Sequence, residues 1–175
     1  MKKNFFTIAA FVLLLHTTGP ADVIFDVMPL GSNQWQYSYD VINTSPDFII
    51  EEFTIFFDAD LYENISIDGI QPPTPDWDIL VWNSAFASSP GGYDALTMGN
   101  GILQGQTVSG FSVVFDWLGT GFPGSQYYEI VNPFNYSEVL ESGQTASSVI
   151  PAPGALYLVL SGLALLRFPK IKHMI

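Results

Sequence analysis

The chain reads as all-β: a single antiparallel β-sandwich of eight or nine short strands, flanked by an N-terminal signal peptide and a C-terminal hydrophobic helix. Three observations predict this. Runs of strict period-two alternation are rich in aromatic and β-branched residues. Gly, Pro, Asn and Asp interrupt those runs at the short intervals expected between antiparallel strands. No convincing amphipathic helix falls within residues 22–148. The chain therefore divides into a signal peptide (1–21), a β-sandwich (22–148) and a C-terminal hydrophobic segment (149–175).

At the front, Lys2 and Lys3 precede an apolar run from Phe5 to Leu15, and small residues follow up to Ala21. These are the parts of a secretory signal peptide, with cleavage expected after Ala21. Residues 24–28 form a short apolar opening. Over residues 35–41, Trp35, Tyr37, Tyr39 and Val41 share one face, with Gln36, Ser38 and Asp40 on the other. Asn43, Pro46 and Asp47 supply a turn. A central strand is expected over 48–57, where Phe53, Ile55 and Phe57 alternate with Thr54 and Phe56.

Residues 61–67 give another strand, and a proline-rich break covers 71–75. Residues 77–82 carry apolar side chains on both faces and are expected to be buried on both sides. The Gly/Ser/Pro-rich stretch 83–105 reads as a long loop with one short strand or turn. Phe111, Val113, Phe115 and Trp117 then alternate with Ser112, Val114 and Asp116. Segments 126–131, 136–140 and 144–148 complete the domain. There is no internal repeat of 20–50 residues.

All 17 acidic residues lie between positions 22 and 149, while the five Lys and Arg and both His lie outside that span. Nucleic acid and anionic lipid are excluded as partners by repulsion. There is no cysteine, so a core must hold the domain without disulfides. Without His, Cys, Lys or Arg, the body lacks the side chains for Ser-His-Asp or Cys-His catalysis, a His/Cys zinc site, a Schiff base or an arginine phosphate clamp. A non-enzymatic role is therefore expected.

Carboxylates remain. Glu51 with Glu52, and Asp76 with Asp78, are the candidate pairs for glycoside hydrolysis, which needs one acid and one base or nucleophile. Asp58, Asp60 and Asp68, with Glu63 and Asn64 nearby, gather the oxygen ligands that calcium takes. Trp82 and Tyr93, beside the long 83–105 segment, are candidates for stacking on sugar rings of an extracellular polysaccharide. Asn43, Asn64 and Asn135 each begin an Asn-x-Ser/Thr triplet.

The tail begins Pro151-Ala152-Pro153-Gly154, continues uncharged to Leu166, and ends with Arg167, Lys170 and Lys172. At about 1.5 Å per residue, this run approaches the roughly 30 Å of a bilayer core. Lys2 and Lys3 at one end and the basic tail at the other place the body outside the membrane. The proline pair, apolar run and basic end resemble the PEP-CTERM sorting signal of bacterial exported proteins, with Ala152 where that signal usually has Glu. The pattern from Gly110 to Trp117, followed by Pro123 to Gln126, loosely resembles the β-rich bodies of such proteins. The resemblance implies transient anchoring in the inner membrane, processing by an exosortase-type enzyme, and a structural or adhesive role at the cell surface or in the matrix. The other readings are a calcium-dependent carbohydrate-binding module and a carboxylate-based glycoside hydrolase.

Overall fold

The computed structural model describes residues 21–67, 69, 73, 76–85 and 89–148. The expected signal peptide before Ala21, the tail with Pro151, Ala152, Pro153, Gly154 and Arg167, and Asp68 lie outside the described residues. No helix among the described residues is long and apolar enough to cross a membrane.

The described chain is all-β. Its strands are β1 (Ala21–Gly31), β2 (Gln34–Asn43), β3 (Glu52–Phe57), β4 (Tyr62–Ser66), β5 (Trp77–Trp82), β6 (Gly91–Thr97), β7 (Thr107–Trp117), β8 (Tyr127–Asn132), β9 (Asn135–Gln144) and β10 (Ala146–Ser147). They form two five-stranded sheets, ordered β10-β1-β2-β7-β4 and β5-β6-β3-β8-β9. Every pairing is antiparallel except that of β10 with β1.

The alternation read in the sequence sets the core. Tyr37, Tyr39 and Val41 of β2, Phe111, Val113 and Phe115 of β7, and Phe53, Ile55 and Phe57 of β3 are all fully buried in one cluster. Rings meet across the two sheets: Phe53 contacts Phe111 edge to face at 4.9 Å, and Phe57 lies 5.2 Å from Tyr62. Each such pair adds about 0.5–1.5 kcal/mol beyond its burial.

Four features depart from the sequence reading. There are ten strands rather than eight or nine: the segment expected at 136–140 extends to Gln144 as β9, and the one expected at 144–148 shrinks to the two-residue β10. Strand β6 lies inside its sheet, between β5 and β3, rather than in a loop. Its glycines answer close approach: a Cβ on Gly91 would meet Ile65 at 2.4 Å. Strand β5 is an edge strand, with Trp77 buried and Asp78, Leu80 and Trp82 exposed, so it is not covered on both sides. Finally, β1 starts at Ala21, which is buried and whose carbonyl accepts a hydrogen bond from the Tyr128 hydroxyl at 2.8 Å.

A core so rich in tyrosine must satisfy its hydroxyls. Tyr37 donates to the Gly124 carbonyl at 2.7 Å and lies 3.1 Å from the Tyr62 hydroxyl. Gln126 is the hub. Its Oε1 accepts from Tyr39 and from Thr145, both at 3.1 Å, while its Nε2 donates to Tyr62 and to the Gly124 carbonyl. Burial pushes the Tyr37, Tyr39 and Tyr62 phenols above their ordinary range, so all three stay neutral donors.

Gln126→Leu strands several of these partners at once and is expected to lower stability by about 2–4 kcal/mol, whereas Tyr39→Phe should cost about 1 kcal/mol. Urea unfolding of both variants checks the ranking, and equal losses would contradict the hub role.

Candidate functional site on the outer face of the second sheet

The inward positions of β3, β5, β6 and β8 send their neighbours outward. The pairing register then arranges these outward residues in rows across the strands. Trp82 pairs with Gly92, Gly92 with Phe56, and Phe56 with Tyr127. In the next row stand Leu80, Asp94, Thr54 and Glu129, and beyond it Asp78, Leu96, Glu52 and Val131. An aromatic row thus borders two rows that carry carboxylates.

Gly92 shapes the aromatic row. A Cβ there would fall 2.1 Å from Cζ2 of Trp82, so the indole lies directly over the glycine backbone. The indole Nε1 donates to the Pro90 carbonyl at 3.2 Å, which fixes the ring, and Trp82 remains 36% exposed. The Phe56 and Tyr127 rings are 5.8 Å apart at 30° to each other. Tyr127 is 40% exposed and its hydroxyl donates to Glu129 Oε1 at 2.9 Å. Past this row the surface opens into a cleft of about 1110 Å³, bounded by Phe56, Tyr127, Glu129, the turn at residues 58–61, Trp117 and residues 124–126.

Of the carboxylates beside the rings, one is bonded by a neighbouring hydroxyl and one has an orphaned oxygen. Thr54 Oγ1 donates to Asp94 Oδ1 at 2.6 Å. Glu52 is only 5% exposed, and its buried Oε2 has no hydrogen-bond partner. Burial, and then the charge of Asp94, raise Glu52 above the ordinary carboxylate value. Burial raises Asp94 too; the Thr54 hydroxyl opposes the shift and the charge of Asp78 adds to it.

Of the residues singled out in the sequence, Trp82 stands on this face. Tyr93 does not: it is 1% exposed, 6.4 Å from both Phe53 and Tyr39 in the core. Following outward Gly92 in the alternation, it must point inward, so its ring is closed to a ligand. Phe56 and Tyr127 were missed. Each had a signal, since Phe56 is the aromatic on the polar side of its strand and only one of Tyr127 and Tyr128 can face the core.

Among the candidate acid pairs, Glu52 and Asp78 share the outer face, whereas Asp76 precedes β5 and its carbonyl accepts from the Met98 amide. Asp58 and Asp60 sit in an exposed turn on the cleft rim, where the Asp60 amide donates to Asp58 Oδ1 at 2.9 Å. Among the described residues, no three His, Cys, Asp or Glu side chains are gathered to hold a metal ion. Asn43 is fully buried and its Nδ2 donates to the Phe48 and Ile102 carbonyls, so it is closed to glycosylation in the fold.

No protein-family model matches the chain, and no curated protein matches it. Among solved structures, it is similar to a GH20 exo β-N-acetylglucosaminidase from Vibrio harveyi in complex with N-acetylglucosamine, and to an inactive mutant of that enzyme. Both matches have a TM-score of 0.41 and 11% identity, covering 74% of this chain and 18% of the other. The chain thus spans less than a fifth of the enzyme's length, and a likeness this faint bears on no activity.

The electrostatics give a pH dependence. Burial raises Glu52 and Asp94, and likewise Asp22 and Glu141, so the folded chain holds more protons than the unfolded one between the ordinary and the raised values. Stability therefore falls as pH rises through that window, which opens near the ordinary carboxylate value of about 4, and these groups contribute most below it. Glu52→Gln, which keeps the neutral state, is expected to raise the urea midpoint at neutral pH and to flatten the gain on mild acidification. An unchanged profile would contradict a raised Glu52 as a source of this pH dependence.

Proposed function

We propose that the chain is an exported bacterial surface or matrix protein with a non-catalytic, adhesive role, holding extracellular polysaccharide on the outer face of its second sheet. One observation carries the binding: the row of Trp82, Phe56 and Tyr127, of which Trp82 and Tyr127 are well exposed, beside outward carboxylates. Sugar rings present apolar C–H faces that stack on aromatic faces, and their hydroxyls donate to carboxylates. The strand spacing of about 4.8 Å sets neighbouring rings roughly one sugar unit apart. The front and tail of the sequence support the export half of the reading. Processing by an exosortase-type enzyme follows from the tail's resemblance to a PEP-CTERM signal, with the inner membrane as the transient anchor.

A second reading, glycoside hydrolysis, is favoured by one observation, the raised Glu52 and Asp94 on the same face. An outward sheet face suits holding a chain better than enclosing a bond, since enclosure excludes water from a reacting centre. Release of reducing ends from a polysaccharide panel, abolished by Asp94→Asn, would establish that reading instead.

In gels containing neutral polysaccharides, the intact protein is expected to be retarded, and Trp82→Ala or Tyr127→Ala to weaken the interaction about tenfold, or about 1.4 kcal/mol. No retardation across the panel would overturn the binding. Separately, the intact mass of the protein from its native cell is expected to lack the N-terminal signal and the C-terminal segment. A full-length mass would contradict export with processing, and loss of the front alone would leave an anchored protein.

A further inference from the structure

The carboxylates of this face have no cationic partner within the body. No Lys, Arg or His occurs between residues 22 and 149, so positive charge must come from outside. The need is local as well as global. Asp94 stands between the other two acids by register: it pairs with Leu80 and Thr54, while Asp78 and Glu52 both pair with Leu96. That makes Asp94 the diagonal neighbour of each, the arrangement in which side chains on adjacent strands still interact. Glu52 adds an independent sign, a carboxylate almost wholly buried on the face with an oxygen that finds no donor. Such a group costs free energy until something supplies one.

We infer that the ligand of this face is an amine-bearing polysaccharide, a chain of amino sugars with free, protonated amines. Its rings stack on Trp82, Phe56 and Tyr127 while its ammonium groups dock at Asp94 and Asp78. The inference rests on the saccharide reading given above and names its substrate class. A cation at Asp94 acts on all three acids together, because the charge of Asp94 bears on Glu52 and that of Asp78 bears on Asp94. An ammonium fits better than a divalent metal. A metal of the calcium kind needs several oxygen ligands converging on one point, and among the described residues no three acids are so gathered. An ammonium needs one or two acceptors and leaves the sugar ring free to stack. Neutral sugars would satisfy the rings and leave the acids without a counter-charge, and acidic sugars would be repelled.

The test is calorimetric titration of the intact protein with glucosamine oligomers and with fully N-acetylated oligomers of equal length, at neutral pH and low salt. The free-amine oligomer is expected to bind about tenfold or more tightly, a preference that shrinks as salt is raised. Asp94→Asn and Asp78→Asn should each erode that preference, weakening the free-amine oligomer more than the N-acetylated one. Asp40→Asn and Asp47→Asn, which remove equal charge at exposed sites off this face, should leave the preference intact. Equal affinity for the two oligomers overturns the inference while sparing the saccharide reading, and no binding of either overturns both. A preference that survives Asp94→Asn and Asp78→Asn marks general attraction to an acidic protein and also overturns it, as does binding that EDTA abolishes.

Discussion

Everything on the outside of this sandwich follows from how its inside is closed, ring against ring between the two sheets. Phe53 of β3 packs edge to face on Phe111 of β7, and Phe57 packs on Tyr62 of β4 and on Phe115 of β7. Once Phe53, Ile55 and Phe57 point inward, the pleat leaves no choice for Glu52, Thr54 and Phe56. An acid, a hydroxyl and an aromatic ring must stand on the outer face of a central strand. The pairing of β3 with β6 and β8 then fixes which residues flank them. The platform is the reverse side of the core, and neither can be altered alone.

The second constraint is chemical. A body without Lys, Arg or His has to satisfy its buried polar groups with neutral donors, and it does so with tyrosine, threonine, asparagine and glutamine. Gln126 joins Tyr39, Tyr62 and Thr145 in one network, and Asn43 bridges the Phe48 and Ile102 carbonyls. Phenols serve well because burial raises them further and keeps them protonated; Tyr128, for one, is pushed up to about 12. The same constraint treats carboxylates differently. They have no partner of opposite charge inside the body, and burial raises two of those on the sheet face, Glu52 and Asp94, above the ordinary carboxylate value. A core held by neutral hydrogen bonds and a surface of acids without a cationic partner in the body are two results of one composition.

Much of the fold was legible. Strands β5 and β7 fall where alternation and turn residues placed them, and the faces of Trp35 to Val41 and of Phe111 to Trp117 were assigned correctly because a period of two leaves little room for error. Strand β6 was legible only as an unplaced short strand or turn within 83–105, since Gly91 and Gly92 read as loop residues. Their reason is tertiary: one makes way for Ile65 and the other for the Trp82 ring, neither adjacent in sequence. The site was half legible for a similar reason. Trp82 carries its own signal, but the row it makes with Phe56 and Tyr127 exists only through register between strands distant in sequence. Tyr93 was misassigned because its exposure depends on which way the preceding glycine faces.

The central claim is that a saccharide lies across the aromatic row over β5, β6, β3 and β8. The most direct measurement is an amide and indole NMR titration of the isotope-labelled protein with an amino-sugar oligomer. Shifts are expected at the Trp82 indole and at residues of those four strands, with the core Trp77 indole unmoved. Shifts confined to the Asp58–Asp60 turn, to the outer face of the other sheet, or absent altogether at saturating ligand would contradict it.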